Sequence, residues 1–517
     1  MKIRKQSIFY SATLLIAASI ALQLMGFLYR IILSRLVGGE GMGLYQMVMS
    51  AYTLLQAVTL SGLSVAVSRL TAESRAQRDP AGMTAVLRLA RMVFLLLVAV
   101  AAALVVPLSP WVAGHLFDAP QIRPALLCLL PCLLLTGFEN LGKASFQGMG
   151  RVVPPITSEL AEQLIRILAV ASLLLAVPWQ DPATAAALII GGMIVSEIFS
   201  SSLLTLWLRR VHRGWSGKGH AGRLGGRFAA IALPLMVAGL FSNLMASANN
   251  LLLPRALAAH GMAGADAVGT FGIVTGMLQP LVMLPSAFLF PLSVVLVPRL
   301  AGDRVTGDRR DLRRKAAKAI HLIGLVGCFS AAMLITLGPD LAHLLFGHAL
   351  DGASAGLFST HTFLILSLGG CALFYQVLCG SVLQGIGRQK RAAAAVLVTG
   401  AFELVWTVWM VPRLGVEGML LEFFFSALIG CALNLPAVIG EVKLAVRLRN
   451  WFLSPLLAAL LCGMFAHLAY PFCLRCGWTA PPALLLCILS AGVVYLAALR
   501  FEGMRPLRYL DGLIDRR

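Results

Sequence analysis

Four polar residues share one face of an otherwise apolar helix: Glu159, Glu162, Gln163 and Arg166, spaced i, i+3, i+4 and i+7. The apolar run that carries them extends from Ile156 to about Val177, long enough to cross a bilayer, and puts Arg166 near its middle. A central arginine costs roughly 2.5–3.5 kcal/mol on insertion, so such groups face a bundle interior or a wet cavity and by default mark a transport pathway. Two chemistries suit this face. Glu162 and Arg166 can neutralise each other as an i,i+4 pair that only holds helices together. Alternatively the guanidinium can offer planar, bidentate donors to phosphate oxygens, and a carboxylate one turn away can take it back when cargo leaves. Arg30, in the first apolar run, is a second candidate for such a contact, although it lies close enough to the outer end of its run to snorkel there. Asn250, beside Asn249 in a later apolar run, is a further candidate.

Enzyme chemistry has no comparable constellation. The sequence holds no HExxH, GxSxG or P-loop, and no Cys/His spacing suited to zinc. His321 and His467 stand alone on apolar runs, where a packed neutral imidazole is the commoner case. Glu139 and Glu197 read as singletons explained by helix-to-helix hydrogen bonding. No cofactor is expected, and the coupling ion of a transporter, Na+ or H+, stays open.

The elements that must position these residues are membrane helices. The 517 residues are 59% hydrophobic and only 12% charged, with mean hydropathy +0.86, which leaves no room for a soluble domain. About fourteen apolar segments of spanning length separate, starting near residues 8, 44, 92, 124, 155, 182, 228, 266, 319, 359, 392, 418, 452 and 482. The second and eighth are the longest, and Pro280, Pro285 and Pro291 predict a kink in the eighth. The glycine-rich stretch Val37–Gly43 reads as an outside loop.

A net charge of +20 does not imply nucleic acid, because the basic residues lie in short clusters between apolar runs. Nearly all of the 42 Lys and Arg fall on one alternate set of loops, and only Arg35, Arg123, Arg255, Arg413 and Arg475 on the other. That bias predicts both termini in the cytoplasm and an even number of spans. Asp311–Lys318, basic overall, reads as a short helix lying on the cytoplasmic surface against anionic lipid. Cys473 and Cys476 fall in an outside loop, where a disulfide and two free thiols both remain open.

An internal repeat organises the chain. Leu383-Gln-Gly-Ile-Gly-Arg388 repeats Phe146-Gln-Gly-Met-Gly-Arg151, and the same shift carries Arg166 onto Glu403, so the halves would present opposite charges at one depth. Ser68-Arg69-Leu70 is echoed by Pro298-Arg299-Leu300. The expected organisation is a six-helix lobe over 1–208, a Gly-rich basic linker over 209–227 that is exposed and poorly ordered, a second six-helix lobe over 228–440, and two extra helices with a basic tail over 441–517.

The stretches Gly26-Phe-Leu-Tyr-Arg30 to Gln46, Ser61-Gly-Leu-Ser to Leu70, Glu162-Gln-Leu-Ile-Arg166 and Gly415-Val-Glu-Gly-Met resemble the stage V sporulation protein B-like family. These are polysaccharide and lipid-linked oligosaccharide flippases of the multidrug/oligosaccharidyl-lipid/polysaccharide superfamily, which also holds the lipid II flippase. The resemblance runs from about Ser7 to the C-terminus and implies an all-α, multi-pass pair of pseudo-symmetric six-helix lobes with two further helices lining a groove for a polyprenyl tail. It implies alternating access for a polyprenyl-linked glycan, working as a monomer in the cytoplasmic membrane. Arg30 resembles the first-helix arginine that faces the central cavity in the lipid II flippase. Leu44 and Gln46 stand where an acidic residue would help, the second helix lacks a mid-helix arginine, and Gly276 and Gln279 stand where another arginine is expected, which implies a less cationic cavity. The substrate contacts expected on this basis are Arg30, Glu159, Glu162, Arg166, Asn250 and Glu403. A drug or cation exporter of the same superfamily, and a membrane glycan polymerase or ligase, are the rival readings.

Overall fold

The computed structural model describes residues 8–117, 119–212, 221–306, 309–347 and 353–504. Regular structure among the described residues is helical throughout: α1 (Ile8–Thr59), α2 (Leu63–Ala76), α3 (Pro80–Trp111), α4 (Arg123–Gly148), α5 (Val153–Ala176), α6 (Pro182–His212), α7 (Ala221–Ala259), α8 (Gly264–Ile273), α9 (Gln279–Met283), α10 (Ser286–Thr306), α11 (Arg309–Phe346), α12 (Thr360–Gly385), α13 (Gln389–Trp409), α14 (Val411–Leu414), α15 (Val416–Val442), α16 (Ser454–Arg475) and α17 (Ala480–Phe501). Helix starts are marked by short acceptors. Asp79 accepts from the Gly82 amide at 2.9 Å and Asp181 from the Thr184 amide at 3.1 Å, satisfying donors that the first turn leaves open.

Among the described residues, 12 helical stretches are long and apolar enough to span a membrane. Two features raise that number to about fourteen. At ~1.5 Å per residue, the 52 residues of α1 would reach about 78 Å, more than twice a bilayer core, and the helix breaks at Gly38 (φ 68°, ψ −170°) into two spans. α5 falls outside the twelve only because Glu159, Glu162 and Arg166 interrupt its apolar run. The Val37–Gly43 stretch is therefore not an open loop: one residue leaves helical geometry, and Gly39, Gly41 and Gly43 already belong to the next span.

The two longest segments are both broken. The second passes through a turn at Leu60–Gly62, with Gly62 at φ 76°, before α2. In the eighth, a wider π turn over Val274–Leu278 precedes Pro280, and the helix breaks again at Leu284–Pro285. A proline that lacks its N–H frees a carbonyl one turn earlier, so breaks near Pro280 and Pro285 are the physical result; α10 continues past Pro291.

The repeated turns are the same object in three dimensions. After α4, Met149 N donates to Ser145 O, Gly150 N to Gln147 O and Arg151 N to Phe146 O. After α12, Ile386 N donates to Val382 O, Gly387 N to Gln384 O and Arg388 N to Leu383 O. Both turn glycines take the left-handed conformation, φ 68° at Gly150 and 73° at Gly387. Each helix end also presses on the end of its segment-two or segment-eight helix. A Cβ at Gly148 would stand 2.4 Å from Ser68 O, and one at Gly385 3.1 Å from Val297 O. A single shift carries Ser68 to Val297, Thr71 to Leu300 and Arg75 to Arg304, so the Ser68-Arg69-Leu70 echo is one residue out of its structural register.

By contacts the chain forms two compact units, one of Met1–Arg255 with Ala267–Ile273, the other of Ala256–Asp266 with Val274–Arg517. Within the first, a Cβ at Gly43 would meet Val268 O at 2.1 Å and one at Gly272 would meet Gly39 O at 2.2 Å. The shift that relates the helix ends also takes Gly39 to Val268 and Gly43 to Gly272. The contact is thus reciprocal, as two-fold-related segments require, and glycine is what lets the backbones touch.

Within the second unit, α16 and α17 close a core with α11 around Tyr470, Leu484, Tyr495 and Leu499. Cys473 and Cys476 are both free thiols. The Asp311–Lys318 stretch is not a separate surface helix. It forms the opening turns of α11, continuous with the span that follows. The basic linker is helical at both flanks, to His212 and from Ala221, and its centre, including Ser216, lies outside the described residues.

Candidate functional site

The polar face of α5 docks in the first unit against α4 and α6, and the residues it meets there are charged. Lys143 on α4 reaches three carboxylates: Glu139 at 2.9 Å, Glu159 at 3.2 Å and Glu162 at 3.6 Å. Arg166 pairs with Glu162 one turn before it and with Glu197 on α6 at 3.3 Å. Its remaining donors go to Ser196 Oγ at 3.4 Å and Gln163 Oε1 at 3.5 Å. Tyr29 and Tyr45 of α1 lie within electrostatic reach of the guanidinium. Burial is deep: the Glu139, Glu197 and Glu162 side chains are 2%, 4% and 10% exposed, and Lys143 only 13%.

This arrangement is made by helix spacing. Glu139 and Lys143 are i,i+4 on α4, and Glu162 and Arg166 are i,i+4 on α5, both with the carboxylate N-terminal. Each helix thus brings one acid and one base to the same seam, and Glu197 adds a third wall. Glu139 and Glu197 are consequently not singletons. They are members of one network, together with Lys143, which sequence spacing alone did not single out.

Four carboxylates surround two cations, so the cluster carries an excess of two negative charges when every group is ionised. Glu159 is 37% exposed and reaches solvent, which leaves three buried carboxylates against two cations, a surplus that is costly unless a proton or a bound cation meets it. One oxygen each from Glu139, Glu162 and Glu197 lies within 4.8 Å of the others, a spacing that could hold an ion. Of these three, Glu197 is the one on α6, on a residue 3% exposed.

The other expected contacts lie elsewhere. Arg30 is half-buried on α1, and no carboxylate pairs with it among the described residues, so it is the less committed of the two arginines. Asn250 on α7 donates to Ser50 Oγ at 3.0 Å, while Ser247 Oγ donates to Ser50 O at 2.8 Å, a polar seam between α7 and the second half of α1. Glu403, in the second unit, accepts a short bond from Ser426 on α15. Its position on α13 matches that of Arg166 on α5, each sixteen residues beyond its turn glycine, Gly387 or Gly150.

A model of the family described as polysaccharide biosynthesis protein matches residues 9–302, more than half of the chain and the whole of the cluster. The chain belongs to that family. Stage V sporulation protein B of Bacillus subtilis (strain 168) is 24% identical over 463 residues, covering 87% of each chain. Among solved structures, the lipid II flippase MurJ in an inward closed conformation superimposes with a TM-score of 0.69 at 13% identity, covering 95% of this chain and 100% of its own. An inward-facing multidrug resistance transporter of the MATE family, from the MOP superfamily, gives 0.64 at 15% identity over 84% of this chain and 99% of its own. At these identities the two likenesses establish the fold, that of a multi-pass, all-helical membrane protein.

Proposed function

We propose that the protein is a flippase that carries a polyprenyl-linked glycan precursor, for peptidoglycan or another envelope polymer, from the cytoplasmic to the outer leaflet of the cytoplasmic membrane. It works by alternating access, without covalent chemistry, as a monomer whose two six-helix halves and paired C-terminal helices follow the repeat in its sequence. The observation that carries this reading is the buried charge network on α4, α5 and α6 inside a chain of the polysaccharide family. A structural ion pair needs one acid per base. This network keeps one buried acid in surplus, which suits a centre whose charge changes during transport.

In this reading Arg30 and Arg166 take the phosphates of the cargo, with Arg30 the first contact and Arg166 released from Glu162 and Glu197 as the surplus carboxylate takes up H+ or Na+. Glu159 and Asn250 complete the contacts on the first half, and Glu403 provides a carboxyl on the second. Differential affinity between the loaded and unloaded cluster is what lets cargo bind in one state and leave in the other. The test is reconstitution in liposomes with a fluorescent polyprenyl-diphosphate sugar and a membrane-impermeant quencher. Protein-dependent exposure of the probe to the quencher is expected. Efflux of a cationic dye with no movement of the lipid-linked sugar would establish the exporter reading instead.

A further inference from the structure

The second unit has a cavity of about 450 Å3 at the basic end of its helices, bounded by the first turns of α11, the turn that ends α15 and the entry to α16. Five cationic side chains line it: Arg313, Arg314, Lys318, Lys443 and Arg447. His321 and Asn450 add polar groups, and no carboxylate occurs among the described lining residues. Asp303 and Asp311 engage Lys315 at 2.7 and 3.1 Å, and Glu441 engages Arg388 and Arg391 at 2.9 and 2.6 Å.

The walls are fixed rather than loosely tethered. Arg313 Nε donates to Val442 O at 3.1 Å, tying the start of α11 to a carbonyl that the end of α15 leaves open. The next residue, Lys443, ends α15 in the left-handed conformation, φ 55° and ψ 53°, where glycine is the usual occupant. A lysine held in that conformation turns its ammonium group onto the cavity at a backbone cost that glycine would not incur. Five cationic side chains on one wall raise a positive potential that favours an anion, and guanidinium forks beside ammonium groups match a phosphate.

We infer that this cavity binds the phosphate of an anionic membrane lipid, at a site separate from the charge cluster of the first unit. The source is a lipid rather than a soluble anion because of the loop that supplies Arg447. In Val446-Arg447-Leu448-Arg449 apolar and cationic residues alternate, and Val446 and Leu448 are 51% and 66% exposed. Large apolar side chains presented outward beside a phosphate cavity belong in the acyl region just below a head group. The inference does not rest on the flippase reading, since it concerns a lipid that stays in its leaflet.

Native mass spectrometry of the full-length protein titrated with phosphatidylglycerol tests it, with phosphatidylcholine and inorganic phosphate as separate arms. Two variants are compared with wild type: Arg314→Ala/Arg447→Ala, and Arg209→Ala/Arg210→Ala, which removes two exposed arginines at the end of α6. The site predicts at least a tenfold weaker phosphatidylglycerol adduct in the first variant, wild-type binding in the second, and no equivalent adduct with phosphatidylcholine. Equal losses in both variants would show diffuse surface charge and overturn the site. Saturation by inorganic phosphate at the same concentration as the lipid would overturn the lipid assignment. Thermal melting of the first variant in lipid-free detergent, expected at the wild-type temperature, separates lost binding from lost folding.

Discussion

The helix pair α4–α5 and its repeat α12–α13 share a backbone and differ in almost every charge. The turns between them have matching hydrogen bonds and matching left-handed glycines. Under the shift that superimposes those turns, Glu139 becomes Gln376, Lys143 becomes Gly380, Glu159 becomes Val396, Glu162 becomes Thr399 and Arg166 becomes Glu403. In place of the ion network the second copy has side-chain hydrogen bonds, two of them to single carboxyl groups: Ser426 to Glu403, Thr407 to Glu422 at 3.0 Å, and Asn434 to Gln376 O at 3.0 Å. The repeat therefore maintains the scaffold, while the charged centre belongs to one copy. A purely structural role for those charges would leave unexplained why an equivalent pair of helices packs without them.

The largest effect should follow from breaking the network at its hub. Lys143→Met removes the cation shared by Glu139, Glu159 and Glu162, and a buried pair broken from one side costs about 3–5 kcal/mol. The melting temperature should fall steeply, with partial recovery when Glu139→Gln is added. At the matching position of the second copy, Gly380→Ala should be neutral or stabilising by up to about 1 kcal/mol, because an added Cβ meets only the Asn434 amide at 3.5 Å. A large loss from that change would mean that the second copy is as finely set as the first.

A smaller effect is expected at Glu403. Glu403→Gln retains an acceptor for Ser426 and should cost about 1 kcal/mol or less in stability. If it abolishes transport as completely as a change at Arg166, the two copies share the work and the contrast drawn here fails. The turn glycines lie between Lys143 and Glu403 on this scale. Gly150→Ala and Gly387→Ala should each cost about 1–2 kcal/mol, from left-handed backbone, and by nearly equal amounts. Unequal losses in chemical unfolding would show that the two turns are not equivalent.

What could be read from the sequence follows from the range of each signal. Span lengths, the repeat and the Glu162–Arg166 face are properties of single helices, and hydrophobic periodicity or i,i+4 spacing reveals them. Lys143 and Glu197 acquire their meaning only from α5, a neighbour that no local spacing identifies. Glu139 and Lys143 were four residues apart on one apolar helix, and that intramembrane acid–base pair was the available clue. Gly38 was legible as a break but not as a break of one residue, because a run of four glycines looks like a loop whether or not helices abut there. The cavity beside Arg447 needed three chain segments to converge, and the Asp311–Lys318 charges suggested only a surface helix.

In the proposed mechanism Arg166 belongs to a working charge centre and not to a structural pair. Transport of the fluorescent polyprenyl-diphosphate sugar, measured beside thermal melting for Arg166→Gln and for the Glu162→Gln/Arg166→Gln double variant, tests it most directly. The account predicts that Arg166→Gln stops transport while the protein stays folded, and that the double variant melts near wild type and still does not transport. Recovery of transport in the double variant together with its stability would show that the pair is scaffold and contradict the account.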